Sequence, residues 1–263
     1  MKRVITMAVT AIALILALAG CSGEEKSLQD IYNNAIEASN DLNSYQMDMN
    51  MDMDMSMPGI PAQKTTITTK GKVVIDPMAL HQTMEIMGQS VEMYYTENGM
   101  YMQQPGTDQW LKAPKNMMDQ LTQMSQAQQK PGEQLKQLKK YVEDFNLEEK
   151  ENSYVLSVSS SEDKMKGFVK EMLQQNLPNN ALNEDVLKSI SIKKLDYKFT
   201  VNKDNYYPKA LDLSMDLEIE QNGEKSIIKE KIHATYSKYN EFEEITVPEE
   251  VKKNAQEMPM GPS

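Results

Sequence analysis

Tyr45-Gln46-Met47-Asp48-Met49-Asn50-Met51-Asp52-Met53-Asp54-Met55-Ser56-Met57 alternates an apolar with a polar side chain over thirteen residues. Successive side chains of a strand point to opposite faces, so this period of two predicts one strand with an apolar and an acidic face. At about 3.4 Å per residue it reaches roughly 44 Å. That is well beyond the common strand length and predicts a large curled sheet or barrel wall.

Outward from this run the pattern stays strand-like. Pro58-Gly59-Ile60-Pro61 predicts a turn, and Thr65 to Ile75, rich in Thr, Val and Ile, predicts a strand ending at Asp76-Pro77. Ala79–Met87, Val91–Tyr95, Met100–Gln103 and Gln109–Lys112 read as further strands. Later come Tyr154, Leu156 and Val158, then Leu195 to Val201, Leu211 to Ile219, and Ile228, Ile232, Ala234 and Tyr236, all at alternate positions. Asn98-Gly99 and Asn222-Gly223 each lie between such runs, the strongest short-range hairpin signal, so the sheet is expected to be largely antiparallel. Ile190 and Ile192 are on the opposite parity from Leu195 onward, which predicts a bulge near Lys193-Lys194.

Helical spacing appears in three places. Ser27 with Asp30 three residues on is a capping-box signal, followed by Leu28, Ile31, Tyr32, Ala35, Ile36 and Leu42. Pro114 opens a second region with Met117, Met118, Leu121 and Met124, then a Gln-rich stretch from Gln120 to Gln129. After Pro131-Gly132 come Leu135, Leu138, Val142 and Phe145. Met165, Phe168, Val169, Met172 and Leu173 mark a third amphipathic helix, with a loop from Asn176 to Asn183. No repeat of 20 to 50 residues is evident, and strands before and after the helices complement each other, so one domain is expected.

The N-terminus carries an address. Lys2 and Arg3 precede an apolar run from Val4 to Ala19, the layout of a secretory signal. Leu18-Ala19-Gly20-Cys21 then resembles a bacterial lipobox, in which the Cys becomes the acylated N-terminus. Cys21 is the only Cys of the chain and is the expected lipid attachment residue. The apolar run is shorter than the roughly 20 residues a membrane span needs, whereas two acyl chains on one residue give stable anchoring. Residues 1–20 are read as the lipoprotein signal peptide, 21–26 as lipidated Cys and tether, 27–251 as the folded domain and 252–263 as a flexible tail.

Composition removes several functions. The 263 residues hold 28 Lys and Arg against 39 Asp and Glu, a formal charge of −11, which opposes nucleic acid as a partner. One Cys and two His, His81 and His233, exclude an intrachain disulfide and a Cys–His nucleophilic pair, and supply no zinc cluster. There is no G-x-S-x-G elbow and no S-x-x-K with supporting motifs, so no enzyme is expected, and no cofactor. Asp48, Asp52 and Asp54 alternate on a straight strand and cannot wrap one Ca²⁺, so a solvated face is expected and no metal site.

A lipobox, an opening helix, about ten antiparallel strands and a helical insertion together resemble the LolA-like lipoprotein fold. That group contains the periplasmic lipoprotein carrier, the LppX and LprG type lipid-binding lipoproteins, and uncharacterised lipoproteins of Gram-positive bacteria. Asn202-Lys203-Asp204-Asn205-Tyr206-Tyr207-Pro208-Lys209-Ala210 is similar to a late hairpin of the Gram-positive members. Tyr236-Ser237-Lys238-Tyr239-Asn240, leading to Ile245-Thr246-Val247-Pro248-Glu249-Glu250, is similar to their closing segment. The likeness covers most of residues 27–251. It implies an α+β fold: a half-open barrel, its antiparallel sheet curled under helices that cross the concave side, a shape that houses acyl chains in characterised relatives.

The methionines carry the functional expectation. Flexible thioethers pack irregular or changeable contents, so the Met strand is read as the inner face of the sheet, either a dry core or a ligand cavity. The expected lining is Met47, Met49, Met51, Met53, Met55 and Met57, with Tyr197, Phe199, Leu213, Met215 and Leu217 from later strands and Phe168 and Met172 from a helix. The leading expectation is a monomeric, non-catalytic lipoprotein on the extracytoplasmic face of the cell membrane, anchored through Cys21 and binding a lipid or other hydrophobic small molecule. Two alternatives stay open: a protein-interaction or envelope-sensor module with a dry core and an envelope protein partner, and a Cu(I) buffer using thioethers at i and i+2.

Overall fold

The computed structural model describes residues 26–115, 117–118, 136, 139–160, 165–176, 189–221 and 223–258. The lipobox and Cys21, the Gln-rich stretch, the helical positions Leu121, Met124, Leu135 and Leu138, the loop after Asn176, Asn222 and the last five residues lie outside them. So does the side chain of Met172.

Six strands form a first meander: β1 (Ser44–Met57), β2 (Ile60–Val74), β3 (Ala79–Ile86), β4 (Gln89–Thr96), β5 (Gly99–Gln103) and β6 (Trp110–Lys112). Five more form a second: β7 (Asn146–Lys150), β8 (Ser153–Ser160), β9 (Ile190–Asn202), β10 (Pro208–Gln221) and β11 (Glu224–Ser237). The meanders join where β1 pairs antiparallel with β11, from Gln46 opposite Ser237 to Ser56 opposite Ile227. A two-residue strand, β12 (Gln256–Glu257), adds parallel to β6. The order β12-β6-β5-β4-β3-β2-β1-β11-β10-β9-β8-β7 begins and ends on different strands, so the curled sheet stays open. The fold is α+β, as the sequence implied, with twelve strands among the described residues rather than about ten.

Both uncounted strands have a physical reason. β7 reads Asn-Leu-Glu-Glu-Lys, with one apolar residue, because it is the outer edge of the sheet and its charges discourage further pairing. β12 falls in the stretch expected as tail. Instead Glu249–Asn254 is helical, Val251 is buried, and Met258 donates its amide to the carbonyl of Lys112 at 2.9 Å, so residues 252–258 are held against the sheet.

The chain turns where its local chemistry dictates, with one shift. The loop between β4 and β5 is Glu97-Asn98, and Gly99 is already paired with Thr96, so Asn98-Gly99 marks the hairpin but not its two central residues. The hairpin between β3 and β4 was unsignalled: Ile86 pairs with Gln89 around Met87 and Gly88, at φ 52° and 80°. That is the left-handed pair a two-residue turn needs. The bulge expected near Lys193-Lys194 is present. Asp216 faces Lys194 and Leu217 faces Ile192, which puts Ile190, Ile192 and Leu195 on one face.

Helix α1 (Leu28–Asn40) starts with the expected capping box: the Asp30 amide donates to Ser27 Oγ at 3.1 Å and the Ser27 amide to Asp30 Oδ2 at 3.2 Å. It buries Ile31, Tyr32, Ala35 and Ile36. The 3₁₀ segment η1 (Lys139–Asp144) brings Val142, with Phe145 following, and α2 (Lys166–Asn176) brings Phe168 and Val169. These pack on Tyr154, Leu156, Val158, Leu195, Phe199, Leu213, Met215 and Leu217 of β8–β10, forming the main core. The last helix, α3 (Glu249–Asn254), contributes Val251, which with Val247 covers Tyr94 and Tyr101 from the other side of the first meander.

Candidate functional site

Residues directly opposite in an antiparallel pair share a face, so the register fixes what surrounds the methionines. On β1, Met47 lies between Tyr236 and Gly71, Met49 between Ala234 and Thr69, and Met51 between Ile232 and Ile67. Met53 follows between Glu230 and Thr65, and Met55 between Ile228 and Gln63. Through β11 these rows run to Leu211, Leu213, Met215 and Leu217 of β10, the strand under the main core. In the other direction they continue through Ile67 to Ile86, Thr69 to Met84, and Gly71 to Gln82, Met93, Met102 and Leu111. The inner face is therefore one mainly apolar surface from β6 to β8, interrupted by a few polar positions, and the helices pack on its second half.

The expected lining divides along that line. Phe168, Phe199, Leu213, Met215 and Leu217 are buried members of the main core, and Tyr197 packs against them with its ring edge-on to Phe145 and Phe168. Met47, Met49, Met51, Met53, Met55 and Met57 are all half-buried, and none belongs to a packed cluster of described residues. Among the described residues, one continuous face thus has a part packed under α1 and α2 and a half-buried, methionine-floored part beside it.

The open floor has an aromatic end. Tyr45 and Tyr236 meet edge-on with ring centroids 6.0 Å apart, and burial pushes the Tyr236 phenol up to about 12. Leu42, Val73 and Ile75 form a small buried cluster behind Tyr45. At the opposite end the β1–β2 hairpin leaves Ile60 exposed.

The outer face is chemically different. Asp54 pairs with Lys64 at 3.2 Å, Asp52 accepts from Thr66 at 2.7 Å, and His233 meets Asp212 at 2.6 Å. Asp52, Asp212 and His233, with Lys194, Asp196, Lys198 and Lys231, line a cleft of about 580 Å³ that also reaches Leu213 and Ile232. A second cleft of about 530 Å³ mixes apolar walls, Val74, Met78, Ile245 and Val247, with the acids Glu97, Glu243 and Glu244. His81, on the same outer face, stacks on Tyr94 at 4.3 Å and meets Glu92 at 2.7 Å. Among the described residues no three His, Cys, Asp or Glu side chains form a metal-ligating group, and no helix is long and apolar enough to cross a membrane.

One inner-face residue escaped the sequence reading. Glu230 falls on β11 between Ile228 and Ile232, opposite Met53 and Met215, and burial raises its carboxyl above the usual range. The signal was present: an acid occupies one position of the run Ile228, Ile232, Ala234 and Tyr236, read only for its apolar members.

Comparison with known proteins places the chain in a family. It belongs to DUF6612, a family of unknown function, whose model matches residues 27–256. No curated protein matches the chain. Similar solved structures include LprF from Mycobacterium bovis, 10% identical over 84% of this chain and 95% of that one, with a TM-score of 0.42. A LolA superfamily protein from Nitrosomonas europaea is 11% identical over 86% and 97%, with a TM-score of 0.24. A DUF1329 family protein from Desulfovibrio piger is 10% identical over 81% and 93%, with a TM-score of 0.25. The LolA-like resemblance thus has counterparts by name, while TM-scores this low leave the chain's own residues as the ground for any functional reading.

Proposed function

We propose that this member of DUF6612 is an extracytoplasmic lipoprotein, anchored through an acylated Cys21, that holds the hydrocarbon part of a lipid or similar hydrophobic molecule and performs no chemistry on it. In this reading residues 1–20 are the signal peptide, 21–26 the tether, and the sheet with its helices one monomeric domain. The observation that carries it is the half-buried methionine floor, continuous with the packed core yet outside every described cluster. From Met47 to Met57 the floor extends roughly 34 Å, longer than the roughly 15 Å half-thickness of a bilayer's hydrocarbon core. An acyl chain laid along β1 would trade water for thioethers that adjust to its path, at about 0.8 kcal/mol per CH₂ buried.

The test is uptake of a fluorescent fatty acyl lipid by the chain from Ser22 to Ser263, which contains every described element. Wild type is expected to bind, and the double variant Met51→Asp/Met53→Asp to lose binding while its circular dichroism stays strand-rich. Unchanged uptake in the variant would remove the methionine floor as the site. Native mass spectrometry without detergent gives the independent check: a co-purifying lipid mass supports the reading, and a bare mass with no uptake of added lipid points to an interaction module instead.

A further inference from the structure

In the four central strands the inner-face positions are Tyr45 to Met57 on β1, Gln63 to Val73 on β2, Leu211 to Gln221 on β10 and Ser226 to Tyr236 on β11. Two acids share that face: Glu224, exposed at the end of β11 opposite Gln221, and Glu230, the one charged position in the interior of these strands. Its neighbours across the ladder are Met53 and the fully buried Met215, and its neighbours along the strand on that face are Ile228 and Ile232. The nearest lysines in sequence, Lys229 and Lys231, are opposite Asp54 and Asp52 on the outer face. Among the described residues no hydrogen bond or ion pair engages the Glu230 carboxylate, and burial is the one influence on its titration.

A half-buried acid in such a place costs stability, because its carboxylate gives up part of its water and gains no partner in return. The outer-face acids of the same sheet show the usual solution: Asp54, Asp196 and Glu218 each have a lysine within 3.2 Å. We propose that the partner of Glu230 is the ligand, and that the methionine floor selects amphiphiles carrying a positively charged, hydrogen-bond-donating group, an alkylammonium in its simplest form. This rests on the hydrophobic-ligand reading of the same floor and adds its polar determinant. The geometry also sets the direction of the chain. Glu230 is level with Met53, near the hairpin that exposes Ile60, and about 20 Å of apolar floor separates Met53 from Met47 beside the Tyr45–Tyr236 pair. The cationic group is held at Glu230 while the hydrocarbon runs toward the tyrosines.

Three probes with one chain length separate charge from hydrophobicity: decylammonium, decanol and decanoate, titrated calorimetrically into the Ser22–Ser263 chain below their aggregation concentrations and at low ionic strength. The ammonium is expected to bind tightest, roughly tenfold or more above decanol, with decanoate weakest. Glu230→Gln is expected to bring the ammonium to within about twofold of decanol while leaving decanol unchanged. Asp48→Asn on the outer face controls for the general attraction of a chain with net charge −11 and is expected to leave the preference intact. Equal affinities in wild type, or a preference that survives Glu230→Gln, would overturn the inference and leave the hydrophobic site standing. Failure of all three probes, decanol included, would overturn the site and the inference with it.

Discussion

Glu230 also has a consequence for stability, and its sign follows from the direction in which burial moves its titration. Its folded pKa is raised above the ordinary 4.5 by desolvation. Below the ordinary value both folded and unfolded chains carry the neutral acid and the position costs little. As pH rises from there through the folded pKa, the folded chain must hold a partly desolvated charge that the unfolded chain hydrates freely, so this residue's contribution becomes destabilising. Glu230→Gln, free of that charge, is therefore expected to be more stable than wild type at pH 8 and to lose that advantage by pH 4, measured by urea denaturation of ligand-free protein. The same advantage at both pH values would show that side-chain packing, not ionisation, separates the two. Met47 to Met57 carry no such penalty: a thioether tolerates partial burial, and its flexibility suits a surface that is covered only part of the time.

At the scale of the element, the hairpin between β3 and β4 departs from what its residues prefer. Met87 is 81% exposed and adopts φ 52°, a region that costs a side chain with an ordinary Cβ about 1 kcal/mol, while Asn is tolerated there. Asn followed by Gly88 would form the favoured pair for this turn. Met87→Asn is expected to stabilise the protein by roughly 0.5–1 kcal/mol with unchanged lipid uptake; a neutral or destabilising result in urea unfolding would refute the local-strain account. Elements whose residues agreed with their conformation were the legible ones. The capping box of α1, the alternation of β1, β9 and β10, and the bulge that resets β9 at Lys193 could all be read from the sequence. β7 and β12 could not, because an edge strand and a two-residue strand take their conformation from the neighbour they join.

At the scale of the molecule, pairing between β1 and β11 ties the two meanders into one sheet, and α3 and β12 bring the end of the chain back onto β6. Trp110, the only tryptophan, lies on β6 in the first meander, packed near Tyr94, whereas the main core is under the second. Unfolding is expected to be a single transition, with tryptophan fluorescence and far-ultraviolet circular dichroism giving the same midpoint in urea. Two separated midpoints would show that the meanders behave as independent units despite the shared ladder. The two faces of this sheet are covered in complementary halves: α1, η1 and α2 close the inner face of the second meander, and the C-terminal segment closes the outer face of the first. Among the described residues, the half-buried methionine floor is what this offset leaves.

The sequence by itself determined the strands that bury one face, their antiparallel sense, the first helix and its cap. It also contained the methionine row, because each of these depends on periodicity and on residues within a few positions of one another. It showed the carboxylate of Glu230 only as a break in an alternation. Tertiary structure decided that this acid faces Met53 and Met215, that Leu213, Met215 and Leu217 are packed while the β1 methionines are half-open, and that residues 252–258 are bound rather than loose. The physical reason is one of range: alternation tells which side chains share a face, but burial and charge partners are properties of what lies across that face, and here the partners come from strands about 180 residues apart.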